Sequence, residues 1–261
     1  MSPQIMGIVN VTPDSFSDGG RYLDAGAAIA HGEELVRDGA AILDVGGEST
    51  RPGAEEVDQA EELRRVEPVV TGLAGTATLS IDTSKAAVAT AAIDAGASIV
   101  NDVTALRGDP EMAAVCAEGD VGVVLMHMPG NPRTMQDDPR YVDVVDDVRA
   151  FLAERLELAV SQGIAEGRVW LDPGIGFGKT LEHNLELLRR LGELRELGRP
   201  LVVGTSRKSF IGGVDGSGVE DRLGGTVASS VLAVAEGADV LRVHDVAETA
   251  QALKVATTIL G

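Results

Sequence analysis

Eight short apolar runs in this chain each end in, or lead into, side chains that can do chemistry. In chain order these are Asn10, Asp44, Asp82, Asn101-Asp102, His127, Asp172, Ser206-Arg207-Lys208 and Arg242-Val243-His244-Asp245. Asp82, Asn101 and Asp172 are short and rigid, and they match the donors and acceptors of a flat polar heterocycle. Lys208, Arg242, His244 and Arg51 are cations, or can become so, and suit a phosphate or pyrophosphate. Asn10 offers one carboxamide oxygen to Mg²⁺, an ion that keeps waters and substrate phosphates as its other ligands. A cap or a turn accounts for a polar residue at one strand end; caps alone do not account for all eight. Spacing by itself leaves each single residue open to a structural role.

The elements that must position these groups alternate along the chain. The β-branched runs Ile5–Val11, Ala41–Val45, Thr78–Ile81, Ser98–Val103, Val121–Met126, Arg168–Leu171, Leu201–Val203 and Val240–Val243 read as buried parallel strands. Ala/Leu/Glu-rich stretches of helical period lie between them. The clearest is Asp143–Gln162, with Val144, Val148, Phe151, Leu152, Leu156 and Ala159 on one face. Gly39, Gly96 and Gly237 each sit where a helix gives way to a strand, as helix stops. Eight strand–helix units without a break in composition predict an α/β fold, a single-domain (β/α)₈ TIM barrel over residues 1–261. A doubly wound open sheet is the alternative, since the pattern does not show closure. In a barrel the eight polar strand ends meet at one rim, where active sites are built. Gly212–Gly218 reads as a flexible loop.

Composition narrows the partners. The chain has 261 residues, 44% hydrophobic and 24% charged, which is a folded composition and excludes wholesale disorder. Lys and Arg total 22 against 41 Asp and Glu, a net charge of −19 that argues against nucleic acid or an anionic membrane as partner. The N-terminal MSPQIMGIVNV has no signal-peptide pattern, and no apolar run reaches the ~20 residues of a membrane span, so a cytoplasmic protein is expected. Cys116 has no partner for an intramolecular disulfide and reads as a small buried hydrophobe. The run Gly174–Thr180, GIGFGKT, mimics a phosphate-binding P-loop, but Pro173 stands where that motif needs its first Gly. No GxSxG elbow, HExxH motif or paired cysteines occur, which speaks against a serine hydrolase or a zinc site. Trp170 reads as barrel packing, and His31 and His183 as surface residues.

Eight collinear segments carry a specific resemblance. They are GIVNVTPDSFSDGG (Gly7–Gly20), DVGGESTRPGA (Asp44–Ala54), SIDTSKAAVA (Ser80–Ala89), NDVTAL (Asn101–Leu106), MHMPGNPRTMQ (Met126–Gln136), LDPGIGFGKT (Leu171–Thr180), GTSRKSFIG (Gly204–Gly212) and RVHDV (Arg242–Val246). Together they make the chain closely similar to the dihydropteroate synthase family, pterin-binding barrel enzymes of folate biosynthesis. The resemblance implies a transfer in which a 7,8-dihydropterin bearing a hydroxymethyl pyrophosphate loses pyrophosphate to the amine of p-aminobenzoate. It places Asp82, Asn101, Asp172, Phe177 and Lys208 at the pterin, and Arg242, His244 and Asn10 at the pyrophosphate, Asn10 through Mg²⁺. Asp82, Lys208, Arg242 and His244 would be the catalytic groups. Loops after the first two strands would bring Asp14, Phe16, Asp18, Thr50, Arg51 and Pro52 over the site, with p-aminobenzoate near Phe16, Thr50, Arg51, Pro52, Phe177, Lys208 and Ser209. A homodimer through helices late in the barrel is also implied. The rivals are a pterin-dependent methyltransferase domain and a paralogue that binds pterin without turnover.

Overall fold

The structure is a computed structural model describing residues 3–12, 25–49, 54, 56–131 and 133–260. Eight parallel strands form its centre: β1 (Gln4–Asn10), β2 (Ile42–Gly46), β3 (Thr78–Asp82), β4 (Ile99–Asp102), β5 (Gly122–Met126), β6 (Val169–Asp172), β7 (Val202–Val203) and β8 (Val240–Val243). Their ladder runs β6-β5-β4-β3-β2-β1-β8-β7. A single parallel bridge between Leu171 and Leu201 brings β6 to β7, with Leu171 N donating to Pro200 O at 2.9 Å. The ring closes, so the barrel reading holds and the open sheet does not. Strand boundaries fall within one residue of those read from sequence.

Helices wrap the outside: α1 (Ala25–Asp38), α2 (Gln59–Leu73), α3 (Ala86–Asp94), α4 (Met112–Glu118), α5 (Val144–Ser161), α6 (Leu181–Arg189), α7 (Ser209–Asp215), α8 (Leu223–Ala235) and α9 (Val246–Leu260). α5 occupies the predicted span, with Asp143 as its N-cap accepting from Val145 N and Asp146 N. Gly39, Gly96 and Gly237 adopt φ of 113°, 115° and 101°, a backbone other residues resist, and they end helices as expected. Gly212–Gly218 is a correction. Gly212–Asp215 belong to α7, which is anchored by the buried Phe210 and Ile211 and stopped by Gly216 in the left-handed region. A β-carbon at Gly212 would lie 2.5 Å from Ser217 O, so this glycine serves a close approach rather than flexibility.

Strand alternation sorts the core into two sets. Leu43, Val45, Leu79, Ile81, Val123, Leu125, Leu171, Leu241 and Val243 face the helices in one large cluster, which also takes in Cys116. Met6, Ile42, Ile99, Val124, Val202 and Val240 form a second cluster with Trp170, the packed interior of the barrel. Trp170 therefore does pack the barrel. Each such side chain removed from water contributes about 1.5–3 kcal/mol, and the floor they form is dry and rigid. Among the described residues no helix is long and apolar enough to cross a membrane.

Candidate active site

Two residues beyond each interior apolar residue, the alternation returns to the barrel axis. Asp44 follows Ile42, Asn101 follows Ile99, Asp172 follows Trp170 and Arg242 follows Val240. The contacts confirm the direction, because they join strands that are not neighbours. Arg242 Nε donates to Asp44 Oδ2 at 2.6 Å, and Nη2 to Asp82 Oδ2 at 2.7 Å. Asn101 Nδ2 donates to the same Asp44 oxygen at 3.0 Å. These bonds cross the interior, linking β8, β2, β3 and β4 just above the apolar floor. Among the described residues, the buried Asp44 Oδ1 and Asp82 Oδ1 have no hydrogen-bond partner, so each is an acceptor set to receive an N–H from a ligand.

The charges are poised by burial. Desolvation drives the Asp82 carboxyl well above the usual carboxylate range, against the pull of Arg242. Burial likewise raises Asp172, opposed chiefly by Lys208, and one of its oxygens accepts from Gly174 N at 2.7 Å. Arg242 loses water too, yet Asp44 and Asp82 hold its guanidinium firmly protonated. Burial pulls the Lys208 ammonium down to about 8, with Asp172 resisting. Lys208 Nζ donates to the Ile175 carbonyl and sits 4.7 Å from the centre of the Phe177 ring, a cation–π contact. His244 is held by Ser206, whose Oγ lies 2.9 Å from Nδ1 and accepts from the His244 backbone N–H at 3.2 Å.

Asp82, Asn101, Asp172, Lys208, Arg242, Phe177, Asn10 and His244 thus come from β1, β3, β4, β6, β8 and the segments after β6, β7 and β8, all at one end of the barrel. Ser209 starts α7 beside Lys208 and is exposed. Asp14, Phe16, Asp18, Thr50, Arg51 and Pro52 lie outside the described residues. Arg207 does not join the site, because its guanidinium is held by Asp245 through bonds of 3.1 and 2.5 Å. His183 is half-buried rather than a plain surface residue. It completes the capping box of α6 and meets the Tyr141 ring edge-on at 4.9 Å.

Several structural partners were not legible. In the sequence Asp44 stands out only as a strand-end polar group, although its place two residues after Ile42 matches that of Arg242 after Val240. Asp102 turns out to build the rim instead of facing a ligand. Its oxygens accept from Thr104 N, Thr104 Oγ1 and Leu106 N, holding Ala105 and Leu106 at φ of 52° and 62°. The buried Arg155 of α5 donates to Ala105 O and Leu106 O, bracing that strained turn from behind. Lys85 bonds Glu62 of α2 and, at 2.5 Å, Glu48, whose other oxygen accepts from Val57 N. This clasp joins the two ends of the β2–α2 loop beside a cleft of about 310 Å³ that reaches Asp82.

Comparison with known proteins decides the family. A model of the pterin binding enzymes matches residues 6–244. The dihydropteroate synthase of Escherichia coli K12 is 47% identical over 261 residues, covering 99% of this chain and 92% of that one. The chain belongs to the dihydropteroate synthase family. Solved structures agree. The dihydropteroate synthase of Xanthomonas albilineans with 4-aminobenzoic acid superposes with a TM-score of 0.93 at 50% identity, over 99% of this chain and 93% of that one. The same enzyme in complex with 7,8-dihydropteroate gives 0.90 at 47% identity, over 99% and 94%.

Proposed function

We propose that this member of the dihydropteroate synthase family is a working transferase. It moves the 7,8-dihydropterin-6-ylmethyl group from its pyrophosphate ester to the amine of p-aminobenzoate, giving 7,8-dihydropteroate and pyrophosphate. The observation that carries this reading is the ring of Asp82, Asn101, Asp172, Lys208 and Arg242 above a dry floor, with a buried, unpartnered acceptor oxygen on Asp82. A pterin edge presents the N–H donors those carboxylates lack, and Asn101 and Lys208 supply the complementary donors.

In the reaction the methylene C–O bond breaks with its electron pair leaving on the pyrophosphate. The amine lone pair forms the new C–N bond, and the nitrogen then sheds a proton. An aromatic amine is a weak nucleophile, so the main task is to help the leaving group depart. Arg242 and His244 would stabilise the growing negative charge, and the Asp82 carboxylate would favour the positive charge the pterin spreads from its methylene carbon. Ser206 keeps the His244 ring oriented for this. Phe177, Lys208 and Ser209 would border the p-aminobenzoate, together with Phe16, Thr50, Arg51 and Pro52. Asp14 and Asp18 would act on the first rim loop.

Mg²⁺ fits this donor set as a companion of the substrate. Among the described residues no three His, Cys, Asp or Glu side chains form a cage, whereas the half-buried Asn10 offers one oxygen at the rim. Asn10 would hold the ion, which when bound neutralises charge on the pyrophosphate. The protein is read as cytoplasmic and as needing neither nucleic acid nor membrane.

The ionisations give a pH dependence. Asp82 must be a carboxylate, so kcat/KM should rise as pH climbs through its raised pKa. Lys208 must be an ammonium, so kcat/KM should fall as pH passes about 8. A profile flat from pH 7 to 9 would contradict the role given to Lys208.

We read the chain as a homodimer, a reading supported by exposed apolar side chains late in the chain: Val214, Val219, Leu223 and Leu232 around α7 and α8, with Leu232 63% exposed. Light scattering should give twice the 27.0 kDa chain mass, and Leu232→Glu should halve it. A wild-type mass of one chain would refute the dimer.

The test of function is to incubate pure protein with the pterin pyrophosphate, p-aminobenzoate and Mg²⁺. Equimolar dihydropteroate and pyrophosphate are expected. Pterin bound without product would make the chain a binding paralogue. The methyltransferase reading is disfavoured by Arg242 and His244, since such a domain has no pyrophosphate for them to engage.

A further inference from the structure

Lys179, near the end of the P-loop-like run Gly174–Thr180, and the strand-end His127 have no part in the function so far, yet they meet in a buried contact. Lys179 is 4% exposed and His127 5%. Lys179 Nζ lies 3.0 Å from His127 Nδ1 and donates to the Phe177 carbonyl at 3.0 Å. His127 is wedged edge-on against Phe151 at 4.9 Å, and Arg107 lies over the far ring at 5.0 Å. Burial and the nearby Lys179 and Arg107 charges push the imidazole down to about 2. His127 is therefore neutral, and its Nδ1 shares one hydrogen bond with the Lys179 nitrogen.

The rest of the loop is fastened from outside. Gln136 Nε2 donates to Gly176 O at 2.8 Å, Tyr141 Oη to Gly178 O at 2.7 Å, and Gly176 N to Asn184 Oδ1 at 2.6 Å. Gly178 presses on Pro129, where a β-carbon would come within 2.2 Å of Cγ. The Phe177 N–H closes a turn onto Gly174 O at 3.0 Å, and its carbonyl, which none of those bonds reaches, takes Lys179 Nζ. Held on both sides, the residue stands its ring beside the Lys208 ammonium.

We propose that Lys179, seated on His127, is a positioning residue that holds the Phe177 ring against Lys208 and so shapes the slot for the aromatic amine. This rests on the synthase reading above, which places p-aminobenzoate beside Phe177. Lys179 is 4% exposed and acts through the Phe177 ring, which in that reading borders p-aminobenzoate, whereas the pterin is held by Asp82, Asn101 and Asp172 as well; its loss should therefore weigh far more on p-aminobenzoate than on the pterin. Misplacing a binding group by about 1 Å can cost on the order of 10²-fold.

The experiment compares steady-state constants of the wild type, Lys179→Met, His127→Leu and His127→Asn. Wild-type turnover establishes the synthase reading, and the variants then test this inference separately. Lys179→Met should raise KM for p-aminobenzoate by about tenfold or more while KM for the pterin pyrophosphate stays within about twofold. His127→Leu breaks the same bridge from the other side and should reproduce the split. His127→Asn puts an oxygen near the site of Nδ1 and should restore most of the p-aminobenzoate affinity. The inference is overturned if both KM values rise together, if neither moves, or if His127→Asn is no better than His127→Leu. Should Lys179→Met not fold, the pair of His127 variants decides alone.

Discussion

Arg242→Ala should destabilise the barrel by about 3–5 kcal/mol, because it strands two buried carboxylates that now share one counter-charge. Asp44 is fully buried and Asp82 is 6% exposed, so water cannot replace the guanidinium. The loss has a definite pH signature. Asp82 already titrates above its unfolded value, and without Arg242 it moves higher still. The folded state then binds more protons than the unfolded one between those two values, so stability is greatest at low pH and is lost as pH rises through the folded pKa. Urea titrations should find the variant's deficit smaller at pH 5 than at pH 7. Asp44→Asn combined with Arg242→Ala removes one stranded charge and should be more stable than Arg242→Ala alone. It should not recover activity, since the pyrophosphate still lacks its arginine. If the double variant regained turnover, Arg242 would be structural only.

Lys208→Ala should act in the opposite way, costing activity and not the fold. Its ammonium is held in a desolvated place that burial already disfavours, so removing it relieves one cost while unpairing the Ile175 carbonyl and the Phe177 ring; Asp172 loses its chief counter-charge but keeps the Gly174 N–H and the field of Arg242. Those effects offset, and thermal melts should shift by only a few degrees, on the order of 1 kcal/mol. kcat/KM should fall about 10²–10³-fold, the usual cost of one aligned donor or charge in a water-excluded site. The alkaline limb near pH 8 should vanish from what activity remains. Near-normal rates would mean the rim residues are misassigned.

These two residues show where sequence reading works and where it stops. The eight strands were legible because buried parallel strands are unbroken β-branched runs, and the polar groups at their ends stood out against them. The facing of those groups was not legible, because both faces of such a strand are apolar and the alternation has no visible phase. Arg242 could be named as a cation at the rim, but not as the partner of Asp44, 198 residues away. The same holds for Arg155 and the Ala105 carbonyl, 50 residues apart, and for Lys179 and His127, 52 apart. A buried charge is defined by its partner, and the partner comes from closure of the barrel. Gly212–Gly218 misled for a related reason. Glycine content signals a loop only where no neighbour needs the space, and here Ser217 and Arg222 crowd Gly212.

The net charge of −19 describes the outside of the barrel, while two anionic substrates must enter it. Lys208, Arg242 and His244 concentrate positive charge at one rim, each aimed by a neighbour: Asp172 beside Lys208, Asp44 and Asp82 on Arg242, and Ser206 on His244. This arrangement is expected to drive pyrophosphate off the pterin before the amine attacks. The direct measurement is the isotope effect on kcat/KM for the pterin pyrophosphate carrying deuterium on its methylene carbon. Departure ahead of attack loosens those C–H bonds, and a clearly normal effect is predicted. A ratio of one, with chemistry shown to be rate-limiting, would mean concerted displacement and would contradict the account.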